Sequence, residues 1–184
     1  MTTLEGRDGS ALLVIDVQNA VVAEGYDRDT VVAHIAELID KARGAGVPVV
    51  WVQHSSDSMP IDSEGWQLVP ELRRAADEAV VRKTFPDSFE ATELESVLAA
   101  RRVGHLFVSG AQSDECIRAT LHGAITRGYD TTLVSDAHTT EDLTPYGAPT
   151  PDKVIAHTNL YWQYHSAPGR TGGVVTTADI DFKP

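Results

Sequence analysis

Short apolar runs alternate with helical patterns along most of the chain, and this alternation restricts the possible folds more than any other feature. The first run, ALLVIDV at Ala11–Val17, is almost entirely apolar, as expected of a strand buried on both faces. A helical spacing of apolar residues follows Asp27 and ends at Gly44–Gly46. Further strands are predicted at Pro48–Gln53, Ala79–Val81, His105–Ser109, Thr131–Ser135 and around Val174, and further helices at Phe89–Arg102, after Cys116 and around Val154–Trp162. This order of elements predicts an α/β fold, with a parallel sheet and helices on both faces.

Length and composition predict a single domain, residues 1–184, with no internal repeat or linker. A formal net charge of −12 argues against binding to nucleic acid or to an anionic membrane, because both require basic patches. The single cysteine cannot form an internal disulfide. The first residues lack a basic segment followed by an apolar run, and no segment approaches the roughly 18 apolar residues of a membrane span. We therefore expect a cytoplasmic protein.

Three polar residues follow three different predicted strands. Asp16 ends the first strand, Lys83 follows the strand at Ala79–Val81, and Cys116 follows the strand that ends before Gly110. Each has an ordinary alternative role: a loop-capping carboxylate, a surface charge, or a small buried thiol. Because the carboxyl ends of parallel strands share one edge of the sheet, where α/β folds bind ligands, we expect the three side chains to meet there.

An acid, a cation and a thiol in contact would be suited to nucleophilic catalysis. Cys116 is predicted at a helix N-terminus, where backbone N–H groups and the helix dipole favour the thiolate. Asp16 can accept the thiol proton, and Lys83 can balance the resulting negative charge.

At this point the sequence resembles a known family, the isochorismatase-like cysteine hydrolases, which include nicotinamidases and other small amidohydrolases. The resemblance extends from about residue 10 to residue 140. Its blocks are ALLVIDVQN with Asp16, VVRKTFPDSF with Lys83, VSGAQSDECIRAT with Cys116, and GYDTTLVSDAHTT.

The resemblance implies the fold and the site residues. The fold would be a three-layer, Rossmann-like α/β structure with a parallel sheet of about six strands. Asp16, Lys83 and Cys116 would form a catalytic triad, and the backbone N–H groups of Gln112 and Cys116 would form the oxyanion hole. A cis peptide bond is implied at Ala111–Gln112.

Differences within the family narrow the expected activity. Isochorismatases hydrolyse a vinyl ether and typically lack the cysteine, so Cys116 favours cleavage of an amide-type C–N bond. Nicotinamidases bind a metal through an Asp-x-His pair after the second strand, whereas this chain has VQHSSDSMP, with His54 and no further histidine until His105. We therefore expect no metal and no cofactor. Glu115 occupies a position that is commonly aromatic in relatives, and its carboxylate could raise the thiol pKa or contact a cationic substrate.

A small-molecule substrate would bind beside these residues, in a pocket formed by loops. The candidate pocket residues are Gln18, His54, Trp66, Phe85, Phe89, His138 and Trp162. The aromatic segment HTNLYWQYH predicts a homodimer or higher homo-oligomer. Two alternatives stay open: a C–O (vinyl ether) hydrolase in which Cys116 is incidental, and a catalytically silent binding protein on the same scaffold.

Overall fold

The structure, a computed structural model, describes residues 2–182. The strands are β1 (Gly9–Ile15), β2 (Val49–His54), β3 (Ala79–Lys83), β4 (Val103–Ala111), β5 (Asp130–Thr139), β6 (Ser166–Ala167) and β7 (Arg170–Val175). The helices are α1 (Arg28–Gly44), α2 (Leu94–Ala100), α3 (Arg118–Arg127) and α4 (Pro151–Gln163), with a π-helical turn at Ser113–Ile117 and a 3-10 turn at Thr144–Tyr146. Over residues 2–182 we find no helix that combines the length and the apolar character needed to cross a membrane.

One sheet organises the molecule. Its strand order is β3-β2-β1-β4-β5-β7-β6, and all neighbouring strands are parallel except β6 and β7. The predicted parallel sheet is confirmed, with a seventh strand, the two-residue β6, added as an antiparallel edge. The order of strands reverses direction between β1 and β4, which is the position where open α/β sheets bind ligands.

The two faces of the sheet pack against different helices, giving the three predicted layers. Leu12 and Val14 of β1 pack on the α1 side, whereas Leu13 and Ile15 pack on the opposite side, with α2, α3 and Trp162 of α4. Side chains alternate between the faces of a strand, so a strand covered on both faces must be apolar throughout. This requirement explains why β1 reads as a continuous apolar run.

The second helix is shorter than its sequence pattern. A helix is predicted over Phe89–Arg102, but α2 begins at Leu94. Ala91 has a φ of 53°, in the left-handed region, and a right-handed helix cannot continue through that conformation. Thr92 instead donates a side-chain hydrogen bond to the Ser88 carbonyl at 2.6 Å, which stabilises an irregular turn before the helix.

A close backbone approach fixes the ends of β1 and β4. Gly110 of β4 pairs with Ile15 of β1 and has a φ of +120°, a conformation that favours glycine. A Cβ at this position would collide with the Ile15 carbonyl oxygen. The chain segments that follow Ile15 and Gly110, which carry Asp16 and Cys116, therefore start from backbones in direct contact.

Candidate active site

The structure brings Asp16, Lys83 and Cys116 together at the carboxyl edge of the sheet. Asp16 directly follows β1, Lys83 is the last residue of β3, and Cys116 lies in the π-helical turn after β4. The Lys83 Nζ atom is 2.7 Å from Asp16 Oδ2 and 3.1 Å from Cys116 Sγ. Asp16 and Lys83 are buried, whereas Cys116 is partly exposed. The thiol can therefore be reached from solvent while the two charged groups cannot.

Asp16 is held in an uncommon backbone conformation. Its φ of 53° lies in the left-handed region, which residues other than glycine seldom adopt. Its backbone N–H donates to the Val52 carbonyl at 2.9 Å, so the residue stays fixed to the neighbouring strand β2. Asp16 Oδ1 is buried, and the carboxylate is hydrogen-bonded to the Cys116 side chain. The carboxylate is therefore placed to accept the thiol proton.

The turn that carries Cys116 begins with the predicted cis peptide bond, Ala111–Gln112, which the structure contains. The Gln112 carbonyl then accepts hydrogen bonds from the backbone N–H groups of Glu115 and Ile117, both at 3.1 Å. The bond from Ile117 spans five residues, as in a π-helix. Cys116 consequently lies within the first turn of the helical segment and not, as the sequence pattern predicts, just before it.

A buried hydrogen-bond chain anchors this turn to β5 and α4. Asn159 Nδ2 donates to the Ser135 carbonyl at 3.0 Å, so its Oδ1 accepts from His138 Nε2, also at 3.0 Å. His138 Nδ1 then accepts from the Ser113 hydroxyl at 2.7 Å. Burial lowers the pKa of His138 to about 4, so the ring is neutral. The sequence analysis missed Ser113 and Asn159, because their partners are distant in sequence.

The three groups change one another's proton affinities. Burial raises the pKa of Asp16, and the nearby Lys83 charge offsets only part of this effect. Burial alone would lower the pKa of Lys83, but the negative charges of Asp16 and Cys116 raise it above its ordinary value. Burial and the Asp16 charge raise the pKa of Cys116 to about 12, against the effect of Lys83. The sequence-based expectation that the helix N-terminus favours the thiolate is therefore wrong for the unliganded protein, whose thiol is protonated at neutral pH.

His54 and Gln18, two of the predicted pocket residues, lie next to the triad. His54 ends β2, and its Nδ1 is 3.4 Å from Lys83 Nζ. The fully buried Gln18 amide donates to the carbonyls of His54 at 2.9 Å and Trp66 at 2.8 Å, and it accepts from the His54 N–H at 2.8 Å. Gln18 thus supports the wall of the site and holds His54 in place.

The other predicted pocket residues have different surroundings. Phe85, just after β3, is exposed, and Trp66 is buried beneath the Arg82 guanidinium. Phe89 and Trp162 are buried in the core on the α2 and α3 side of the sheet. Their large apolar side chains pack as core residues, and Cys116 is packed against the same buried cluster.

In the part of the chain that the structure describes, the predicted site residues form no metal-binding cluster, and a groove lies beside the turn that carries Cys116. Among residues 2–182 there is no group of three or more His, Cys, Asp or Glu side chains that could hold a metal ion. A groove of about 610 Å³ lies between α3 and α4 and is lined by, among others, Arg118, His122 and Tyr161. Arg118 and His122 are four residues apart on one face of the segment that bears Cys116. This groove is beside the thiol-bearing turn and does not include the triad.

Comparisons with known proteins agree with this geometry. The family model described as "Isochorismatase domain" matches residues 10–149. A streptothricin hydrolase of Streptomyces noursei is 38% identical over 144 residues, which are 74% of this chain and 57% of that protein. A ureidoacrylate amidohydrolase of Cronobacter turicensis is 27% identical over 170 residues, covering 70% of this chain and 73% of that protein.

The fold comparison gives the same result. The crystal structure of an isochorismatase from Pseudomonas putida KT2440 superposes with a TM-score of 0.84 at 27% identity, covering 94% of this chain and 90% of that one. The family match includes β1 through β5 and so every strand that contributes to the site. The chain therefore belongs to the isochorismatase family.

Proposed function

We propose that this protein is a hydrolase that cleaves an amide-type C–N bond of a small molecule through a thioester on Cys116. The observation that supports this most strongly is the position of Lys83 Nζ, in contact with both the Asp16 carboxylate and the Cys116 thiol at the end of three strands. The names of two relatives are consistent with it: one is a streptothricin hydrolase and the other a ureidoacrylate amidohydrolase.

Asp16 is proposed as the general base. Its carboxylate is hydrogen-bonded to the Cys116 side chain, and burial raises its pKa, so it is a better proton acceptor than an exposed carboxylate. Burial and the Asp16 charge raise the pKa of the Cys116 thiol, so attack on the substrate requires a base, and Asp16 is the carboxylate that contacts the thiol. Lys83 stays charged and stabilises the carboxylate and the developing thiolate in turn.

The thiolate then attacks the amide carbonyl carbon. A bond forms between Sγ and that carbon, and the carbonyl oxygen becomes an oxyanion. We assign the backbone N–H groups of Gln112 and Cys116 as its donors, since both belong to the turn formed by the cis peptide and the Gln112 carbonyl. Loss of one such donor typically costs about 3 kcal/mol of transition-state stabilisation.

Collapse of this intermediate breaks the C–N bond and releases the amine. The leaving nitrogen takes the proton that Asp16 had accepted from the thiol, so the carboxylate is regenerated. A water molecule, deprotonated by the same carboxylate, then attacks the thioester, giving the carboxylic acid and the free thiol. Two partial reactions thus replace one difficult hydrolysis.

A panel of small amides, analysed by intact-protein mass spectrometry, tests the proposal. We expect an acyl adduct of the mass expected for loss of the amine, located on Cys116 and absent from a Cys116→Ala variant. Isochorismate belongs in the same panel. Its hydrolysis without an adduct, retained in Cys116→Ala, would support the C–O hydrolase alternative and overturn the amide proposal.

We also propose that the protein is a homodimer or a higher homo-oligomer. Leu160 and Tyr164, at the end of α4, are 61% and 79% exposed, which is unusual for large apolar side chains on neighbouring positions. Light scattering at micromolar concentration should give a mass of at least twice 19.9 kDa. A monomeric mass would refute this expectation.

A further inference from the structure

The hydrogen-bonding capacity of Lys83 is accounted for by three neighbours. A lysine ammonium group has three N–H donors and no acceptor. Its Nζ lies 2.7 Å from Asp16 Oδ2, 3.1 Å from Cys116 Sγ and 3.4 Å from His54 Nδ1. Two of these neighbours belong to the proposed triad. The third, His54, has no part in the reaction described above.

This contact determines where His54 carries its proton. Because the ammonium group can only donate, His54 Nδ1 must accept, and the ring hydrogen is therefore on Nε2. Burial and the Lys83 charge both lower the pKa of His54, against the smaller effect of Asp16, so a neutral ring is favoured. His54 is thus a neutral imidazole whose Nε2–H points away from Lys83.

The backbone of His54 is fixed as firmly as its ring. Gln18 accepts from the His54 N–H and donates to the His54 carbonyl, at 2.8 and 2.9 Å. Since Gln18 is fully buried beside Asp16, both residues are positioned by the end of β1. A side chain held by its main chain and by one ring nitrogen presents its other ring nitrogen in a defined direction.

The remaining donor of His54 has no protein acceptor. Within residues 2–182, no hydrogen bond involves Nε2, and the residue is only partly buried. His54 Nδ1 and Cys116 Sγ contact the same ammonium nitrogen. The imidazole and the thiol therefore belong to one cluster around Lys83, and both residues are partly exposed.

We propose that His54 binds the substrate by donating its Nε2–H to a carbonyl or carboxylate oxygen of that substrate. This inference rests on the proposed amide hydrolysis at Cys116, and it adds a substrate class. Substrates are amides that carry a second oxygen acceptor near the scissile carbonyl group. A site built to donate a hydrogen bond discriminates strongly against analogues that lack the acceptor, because its donor would lose water and gain no partner.

Two variants separate the functions of the two ring nitrogens. In His54→Asn, the side-chain oxygen can replace Nδ1 as the acceptor for Lys83, but no donor remains at the position of Nε2. In His54→Gln, the longer side chain can place its amide N–H near the position of Nε2. Both are polar and comparable in size, so each serves as the control for the other.

The first measurement compares amide pairs of matched length, the monoamides of malonic and succinic acid against propionamide and butyramide. We expect wild type to favour the acid-bearing amides in kcat/KM by about tenfold or more. The ratio should fall to near one in His54→Asn and remain largely intact in His54→Gln. A ratio that is unchanged in His54→Asn, or absent in wild type, would overturn the inference.

The second measurement does not require amide turnover. Rates of Cys116 alkylation by iodoacetamide and by iodoethane are each divided by the rate with free cysteine at the same pH. Wild type should favour iodoacetamide, which carries an oxygen acceptor, and His54→Asn should lose this preference. A preference that depends on His54, found together with no hydrolysis of any amide, would overturn the proposed function and leave His54 as a binding residue. Equal normalised rates in wild type would overturn the His54 assignment.

Discussion

Two triplets of an acid, a cation and a weakly acidic side chain occupy opposite edges of the sheet. The thiol triplet, Asp16, Lys83 and Cys116, lies at the carboxyl edge. The phenol triplet, formed by Glu95, Arg7 and Tyr129, lies at the amino edge, where Arg7 precedes β1 and Tyr129 precedes β5. In both, burial is the main cause that raises the pKa of the weak acid.

The two triplets differ in which member is exposed to solvent and in whether all members are hydrogen-bonded to one another. In the phenol triplet, Arg7 binds both Glu95 and the Tyr129 hydroxyl, and that hydroxyl binds Glu95, each at 2.6 Å. Its ring of bonds is closed, Glu95 is exposed and Tyr129 is buried. In the thiol triplet the charges are buried and the weak acid is accessible. An acid–cation pair thus becomes suited to catalysis when its third member can be reached from outside.

The largest expected difference between the triplets concerns the weak acids themselves. Cys116→Ser should reduce amide turnover by at least about a thousandfold, because the nucleophile is lost, while the melting temperature stays near that of wild type. Steady-state kinetics and thermal unfolding are the measurements. Tyr129→Phe is the matched control at the other edge, since it also changes a single heteroatom, that of the weak acid in the phenol triplet. Full activity of Cys116→Ser would refute the covalent mechanism.

Removal of the cation should also affect the two triplets differently. Lys83→Ala leaves the buried Asp16 charge unpaired, so turnover should fall by about a hundredfold and stability by about 3–5 kcal/mol. Alkylation of Cys116 should shift to higher pH, because Lys83 is the group that lowers the thiol pKa. The pH profile of iodoacetamide alkylation and chemical denaturation are the measurements.

Lys83→Arg should rescue only part of this loss, since a planar guanidinium replaces a compact ammonium in a closed site. Arg7→Ala, in the phenol triplet, should cost about 1 kcal/mol, because the partly exposed Glu95 can regain water, and it should leave the alkylation profile unchanged. An unchanged profile in Lys83→Ala would mean that Lys83 does not act on the thiol.

A smaller effect on activity is expected when Gln18, which supports the thiol triplet, is replaced. Gln18→Leu removes three hydrogen bonds and leaves the backbone N–H and carbonyl of His54 without their Gln18 partner, whereas the Trp66 carbonyl still accepts from Gln53 Nε2 at 3.1 Å. We therefore expect kcat/KM to fall by about tenfold through displacement of His54. The neighbouring Asn19→Ala removes one exposed bond, to the Glu64 carbonyl, and serves as the control. Equal kinetics of the two variants would show that Gln18 does not position the site.

The smallest effect on activity is expected at the phenol triplet. Tyr129→Phe should lower the free energy of unfolding by about 1 kcal/mol, because two hydrogen bonds are lost and Glu95 can regain water. Turnover should stay within about twofold of wild type. Urea denaturation and kinetics on one preparation provide both values. A large loss of turnover with intact stability would show that the two edges are coupled.

The sequence predicted the thiol triplet because each member lies at or shortly after the end of a strand, and strand ends are visible where an apolar run gives way to polar residues. The phenol triplet and the Ser113–His138–Asn159 chain could not be predicted in that way. Arg7 and Tyr129 are 122 positions apart, and neither marks the end of a strand. Long-range hydrogen bonds between ordinary loop and helix residues have no local pattern.

The surroundings of the candidate pocket residues also could not be predicted from the sequence alone. A large aromatic residue beside a predicted loop gives the same sequence pattern whether its side chain faces a ligand or the core. In the structure, Phe89 and Trp162 are buried in the core. The thiol pKa was misjudged for a related reason. The helix N-terminus is visible in the sequence, but the burial of Cys116 and its distance from the Asp16 charge depend on the packed structure.

The contact between Gly110 and the Ile15 carbonyl has a consequence for how this protein could acquire new specificity. It joins backbone to backbone, so the separation of the acid-bearing and thiol-bearing strands does not depend on any side chain in the loops that follow β2 and β5, residues 55–65 and 140–150. Those loops can change in sequence and length while the reactive atoms keep their spacing. A library that randomises the two loops and leaves Gly110 untouched is therefore a rational starting point for directed evolution toward other amides.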